Sequence, residues 1–173
     1  MAELIIGVDK NDNFLGLRER EEFYLGSHIH RAAQLILLNP DNKMLIQKRS
    51  PQKRWYPNRY TYSVSGTVAN ESYEACMKRE MFEEIGISVP FRKLFKIPCI
   101  FENKGAFHTV FSGRCSENTA SLIQLDPEET AYVEWIELEE LYGAVKAEPD
   151  KYTPSLRAGI IKIFHEGYEK YIL

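Results

Sequence analysis

The chain has 173 residues, 44% of them hydrophobic and 27% charged, with a formal net charge of -3, which suits one soluble globular domain over 1–173 with a sizeable core. There is no excess of positive charge to recommend nucleic acid or an acidic membrane as a partner, and no run long enough to span a bilayer. Three cysteines without paired spacing, Cys76, Cys99 and Cys115, and an N-terminus without a secretion signal point to a reducing compartment, with the cytoplasm as the expected location.

In chain order, Leu4 to Asp9 and Phe14 to Leu17 flank the turn formers Asn11-Asp12-Asn13, so an N-terminal β-hairpin is expected. Arg18 to Tyr24 is charged and suits a short helix or an irregular link. Ile29 to Leu38 is largely apolar and reads as a buried strand, with Met44 to Gln47 returning after the turn Asn39-Pro40-Asp41-Asn42. Ser50 to Arg59 carries two prolines and reads as a loop. Tyr60 to Val68 is expected as one strand feeding a helix capped by Asn70 and closed by Gly86. Phe91 to Ile100 and Phe107 to Phe111 suggest an antiparallel pair, and Ser116 to Glu129 a surface loop. Tyr132 to Ile136 reads as a strand, Leu138 to Val145 as a helix, and Ser155 to Tyr171 as a final amphipathic helix. A mixed sheet flanked by helices, an α/β fold, follows from that order.

The central helix carries the chemistry. At 3.6 residues per turn, Glu80, Glu83 and Glu84 fall within one arc of about 100°. Met77, Met81 and Ile85 repeat every fourth position on the neighbouring flank, which holds the acids at the edge of a core. Three repelling carboxylates there suit a hard divalent cation, Mg²⁺ or Mn²⁺, with oxygen ligands. A solvated acidic face is the bland alternative, disfavoured by the loop Ser65-Gly66-Thr67-Val68-Ala69-Asn70 that feeds the helix.

Strand, glycine loop and a helix with Arg79-Glu80-Met81-Phe82-Glu83-Glu84-Ile85-Gly86-Ile87 resemble the Nudix box. One departure stands out: the box places five residues between its first glycine and first glutamate, whereas Gly66 and Glu71 have one fewer between them. Within the Nudix superfamily the chain resembles the group related to isopentenyl-diphosphate isomerase. That likeness rests on Leu15-Gly16, His30-Arg31-Ala32, Leu45 to Ser50 with Lys53 and Pro57, and Tyr152 to Arg157. It implies an α/β/α sandwich with a mixed sheet. Isomerase chemistry requires a cysteine where this chain has Ser65, and metal ligands where it has Phe23, Thr67, Lys104 and Ala106, with only His30 retained. The complete R-E-x-x-E-E helix therefore argues for hydrolysis of a diphosphate in a small-molecule substrate, expected to be a nucleoside derivative. Isomerase-like activity and a silent diphosphate-binding module are the alternatives, and a homodimer stays open.

The expected metal set is Glu80, Glu83 and Glu84 with the Gly66 carbonyl. Arg79 is expected to orient a glutamate, Glu83 or Glu84 to take a proton from water, and Glu71 to assist or to charge the helix N-terminus. Glu128, Glu129 and Glu134 are further base candidates. Lys48 and Arg49 are expected to meet phosphates, with Trp55 and Tyr56 as a stacking platform. Two residues apart on one strand, His28 and His30 would share a face and so form a second metal candidate. His108, His165 and Trp135 read as structural.

Overall fold

The computed structural model describes residues 3–26 and 28–172. Its central element is β3 (Ile29–Leu38), whose apolar run Leu35 to Leu38 suits a strand covered on both faces. Along one edge it pairs in parallel with β8 (Lys104–Arg114), from Ile29↔Gly105 to Leu38↔Arg114. The other edge takes the N-terminal strand β1 (Leu4–Val8) and β6 (Val64–Thr67), both antiparallel. It then turns into β4 (Met44–Arg49) at Leu38↔Met44. β7 (Phe91–Phe101) extends the sheet beyond β8, β2 (Phe14–Glu19) beyond β1, and β9 (Thr130–Ile136) lies beside β4.

The period-two alternation of β3 builds two cores. Ala33, Leu35 and Leu37 face helix α2 (Tyr73–Ile85), where they join Cys76, Met77, Met81 and Ile85. Ile36 and Leu38 point the other way, into α4 (Leu138–Ala147) and α5 (Pro154–His165), among Leu141, Val145, Leu156, Ile160 and Ile163. Each fully buried aliphatic side chain contributes about 1.5–3 kcal/mol, so α2 is fixed by its apolar flank whatever its acids do.

Several expectations shift. The segment expected as one strand from Tyr60 to Val68 is two, because it changes partners: β5 (Tyr60–Thr61) pairs with β4 and β6 with β3. Ser63 makes the crossover tolerable, its hydroxyl donating to Leu45 O (2.6 Å) and accepting from Leu37 N (2.8 Å). Asn70 does not cap α2; Ser72 does, accepting from Ala75 N at 3.1 Å, whereas Gly86 closes the helix at φ 69° as expected. The last helix ends at His165, and Gly167 at φ 83° separates it from a four-residue helix, α6 (Glu169–Ile172). In the charged N-terminal link lies a short helix, α1 (Arg20–Leu25), and α3 (Glu117–Ala120) interrupts the loop expected over Ser116 to Glu129.

The α5 face holds a tight joint. Tyr62 is fully buried and its hydroxyl donates to Ser155 O at 3.0 Å, passing directly over the Cα of Gly159. A Cβ at Gly159 would collide with that oxygen. Gly159→Ala therefore destabilises, the overpacking cost of about 1–3 kcal/mol outweighing a helix-propensity gain of at most about 1 kcal/mol. The expected result is a melting midpoint several degrees lower by calorimetry; an equal or higher midpoint would show that the joint yields.

Candidate active site

α2 delivers its acids in two directions. Glu84 points inward and is buried; one of its oxygens, Oε2, accepts from Ser65 N on β6 and from Gln47 Nε2 on β4, both at 3.0 Å. Gln47 is itself saturated, giving Nε2 to Ser63 O (2.6 Å) and accepting at Oε1 from Thr130 Oγ1 (2.9 Å). Glu80 is 12% exposed and lies against Gly66 so closely that any Cβ there would strike its carboxylate. That contact, rather than a positive φ, is what the glycine is for. Glu83 is 53% exposed and turns outward.

Arg79 gathers the outer acids. Its Nη1 donates to Glu80 and Glu83 at 2.8 Å each, and its Nη2 to Glu71 at 2.6 Å. Glu71 precedes the helix and serves here as a carboxylate partner, which the shorter glycine loop allows. That loop is braced from outside, Val68 N donating to Arg31 O (2.9 Å) and Ile5 bridging to Ala69.

Burial, and then repulsion from Glu80, push the Glu84 carboxyl up to about 8; burial, partly offset by Arg79, takes Glu80 up to about 7. Among the described residues no three acid, imidazole or thiol groups converge as a finished metal cluster, since Arg79 stands among the outer acids. The donor set nonetheless fits a hard divalent cation. It consists of carboxylate and carbonyl oxygens, two of the carboxylates are held deprotonated only at a cost, and a side chain is missing at Gly66 where the backbone meets them.

The remaining candidates separate by strand parity. Neighbours on a strand face opposite ways, so Lys48 and Arg49 cannot both serve. Lys48 turns to the α5 side and lies over the rings of Tyr60 (5.3 Å) and Tyr132 (5.6 Å), on the face away from Gln47. Arg49 shares the side of Gln47, where Glu84 and Glu129 stabilise its charge against a downward pull from burial. Its Nε donates to Trp55 O at 3.1 Å, and no carboxylate pairs with it directly among the ion pairs of the described residues. Of the three loop glutamates, Glu129 is the one near Glu84, anchored by an ion pair with Lys53. Glu134 lies by Tyr60 on the far side. Sequence reasoning missed Gln47, Thr130 and Arg20. A glutamine ending the apolar run Met44-Leu45-Ile46 was the available signal. Arg20 holds Glu3 (2.5 and 2.8 Å) and its charge reaches Glu80.

His28 lies before β3 rather than on it, and Phe23 sets its ring edge against both His28 and His30. Among the described residues no third acid, imidazole or thiol joins them. His30 is half-buried, its Nδ1 atom shielded from solvent and without a hydrogen-bond partner.

The NUDIX domain matches residues 28–157. The chain belongs to the Nudix family. It is 73% identical to a prenyl-diphosphate phosphatase of Methanosarcina mazei, over 98% of this chain and 99% of that one. Over 99% and 98% it is 27% identical to isopentenyl-diphosphate Delta-isomerase 2 of Photorhabdus laumondii. A crystal structure of a Deinococcus radiodurans protein shares the fold, with TM-score 0.78 and 23% identity over 92% of this chain and 98% of that one. The chain is thus a Nudix hydrolase acting on diphosphate bonds.

The two raised carboxyl pKa values have a consequence for the metal-free protein. A carboxyl whose folded pKa exceeds its unfolded 4.5 adds stability in the protonated form; this is complete below 4.5 and is lost as pH rises through about 7 to 8. Half-buried, neutral His30 and His108 act oppositely, losing stability as pH falls through 6.5. Between pH 6.5 and about 8 the acids outweigh the imidazoles, which are by then mostly neutral in both states. With divalent cations chelated, the melting midpoint should fall across that window, and fall less in Glu84→Gln. Parallel profiles for the two proteins would show that Glu84 is not held protonated.

Proposed function

We propose that this Nudix hydrolase is a prenyl-diphosphate phosphatase dependent on Mg²⁺ or Mn²⁺. The observation that carries the reading is the 73% identity, along nearly the whole of both chains, to the Methanosarcina mazei enzyme of that name. It replaces the nucleoside expected from the sequence as the group esterified to the diphosphate. The reaction adds the oxygen of water to one phosphorus and breaks the phosphoanhydride bond. The bridging oxygen leaves with the other phosphate, and the water proton passes to a carboxylate, giving a prenyl monophosphate and inorganic phosphate.

Glu80 and Glu84, with Glu83 and the Gly66 carbonyl, would hold the cation. When bound, it supplies neutralising charge at the diphosphate and makes water more acidic. Arg79 positions Glu71, Glu80 and Glu83 through its fork of donors, a task for which lysine is a poor substitute. Arg49, half-buried and without a direct carboxylate partner among the described residues, would pair with diphosphate oxygens. Glu129, across from Glu84, accepts the proton.

The test is phosphate release with Mg²⁺ from prenyl diphosphates set against nucleoside diphosphates, nucleotide sugars and dinucleotides. Turnover confined to the nucleotides would end the prenyl reading. Glu84→Gln should lower turnover at least about a hundredfold, since a neutral amide is a weak ligand for a hard cation. Glu129→Gln should lower kcat by roughly a hundredfold and leave the Mg²⁺-induced rise in melting midpoint intact. If that rise vanished too, Glu129 would belong to the cation site instead.

Isomerase activity is the second reading, favoured by the Photorhabdus relative and opposed by Ser65. Neither the wild type nor Ser65→Cys should interconvert the two isomers of isopentenyl diphosphate, as followed by NMR; interconversion by either would reverse the exclusion.

A further inference from the structure

Resting on Glu129 as the proton acceptor, we propose that Gln47 and Thr130 form a positioning pair, which holds the loop carrying that residue at a fixed distance from the Glu84 carboxylate. One side-chain amide spans the gap. Gln47 Nε2 donates to Glu84 Oε2 (3.0 Å) and to Ser63 O (2.6 Å), and its Oε1 accepts from Thr130 Oγ1 (2.9 Å). Ser63 decides which way the amide points. Its carbonyl can only accept, so the nitrogen lies on that side and the oxygen faces the threonine. Thr130 directly follows Glu129, and both Gln47 and Thr130 are buried, so water does not compete for these bonds.

Strand parity alone would turn Thr130 away. Val133 lies opposite Gln47 and Tyr132 opposite Lys48, after which Ala131 would face Arg49 and Thr130 would point to the α5 side. The register shifts between Lys48 and Arg49 instead, and Thr130 takes the place opposite Arg49. Ala131 is thus the extra residue of a β-bulge, which turns the Thr130 hydroxyl to the side of Gln47. Bulges next to active sites re-aim side chains in this way. Here the side chain re-aimed is the neighbour of the proposed base.

Other bonds tie the loop to itself and to the end of β4. Glu129 N and Thr130 N donate to Asp126 O (3.1 and 2.8 Å), Ser50 N donates to Glu129 O (3.0 Å), and Lys53 pairs with the Glu129 carboxylate. The Gln47 amide adds the link from this loop to an acid of α2. Such a link matters because a base must lie within hydrogen-bond reach of the proton it takes. A misplacement of about 1 Å can cost roughly a hundredfold. Valine at position 130 would keep the shape of the side chain but leave Gln47 Oε1 without its donor in a dry interior, which frees the amide and the loop to shift.

The experiment measures kcat and KM for phosphate release from isopentenyl diphosphate with Mg²⁺, together with the Mg²⁺-induced rise in melting midpoint. It compares wild type, Thr130→Val, Thr130→Ser, Glu129→Gln and the Thr130→Val/Glu129→Gln double variant. Thr130→Val should lower kcat roughly tenfold or more and leave KM within about threefold. The Mg²⁺-induced rise should persist, because Glu84 keeps its bond from Ser65 N. Thr130→Ser, which retains the hydroxyl, should recover most of kcat. In the Glu129→Gln background Thr130→Val should cost little more, since the pair then has no base to place. A bond that only stabilises the fold would lower the melting midpoint of Thr130→Val and spare kcat, and that result would overturn the pair. Additive losses in the double variant would overturn it as well, and undiminished kcat in Glu129→Gln would overturn the proton acceptor and the pair together. If wild type turns over only nucleotides, the prenyl reading fails by itself, and the same comparison on the nucleotide decides the pair.

Discussion

Everything at the site depends on a single buried carboxylate. Glu84 sits where α2, β4 and β6 meet, and its Oε2 is the shared acceptor of a backbone amide from β6 and a side-chain amide from β4. Through Gln47 the same network reaches Ser63, where the chain changes partner strands, and Thr130 on β9. A hydrocarbon at position 84 would leave those donors unsatisfied in a dry interior, which costs about 1–3 kcal/mol for each orphaned group. A carboxylate satisfies them but brings a charge that burial resists, so its pKa climbs. The fold thus holds an acid at the point where two strands and a helix converge, and a cation is the natural complement.

The apolar side of α2 makes that arrangement rigid. Met77, Met81 and Ile85 are fully buried against β3, so the register of the helix on the sheet is set by packing. Glu80 then has one place to go, the gap left by Gly66. Arg79 draws Glu83 and Glu71 toward the same spot from outside. Inner acids are positioned by the core and outer acids by an arginine, which means the two groups tolerate change differently: the first through stability, the second through charge.

Much of this was legible because it is periodic. The acids, the apolar flank and the glycine stop of α2 follow from helical spacing, and β3 from its largely apolar run. What escaped depends on contacts distant in sequence. Ser72 rather than Asn70 caps the helix because the loop, tied back by Val68 and Ala69, delays its start. Lys48 and Arg49 read as one basic stretch, yet strand alternation sends them to opposite faces. Glu129 was one of three equivalent loop acids until the β4–β9 register, with Arg49 opposite Thr130, brought its neighbourhood to Glu84.

Strand alternation also explains how a relative of isomerases comes to have a hydrolase's site. On β6, Ser65 and Thr67 lie opposite Gln34 and Ala32 and share their face, while Gly66 turns its bare Cα to Glu80. The Ser65 face continues into His30 and His108, with Gln34 linked to His108 at 2.9 Å. It is polar but holds no strong acid. Burial, aided by the neighbouring Arg20, takes the His30 imidazole down to about 4; burial, with His30 nearby, takes His108 down to about 3. Both rings are therefore neutral near pH 7, and a serine hydroxyl is a far weaker acid than a thiol. None of the side chains of Ser65, Thr67, Gln34, His30 and His108 is a thiol or a carboxyl. The opposite face carries Glu71, Glu80, Glu83 and Glu84 around one guanidinium, a net excess of negative charge suited to a cation and, through it, to a diphosphate. Adjacent residues on one strand divide the two chemistries, and this chain has the groups for only one of them.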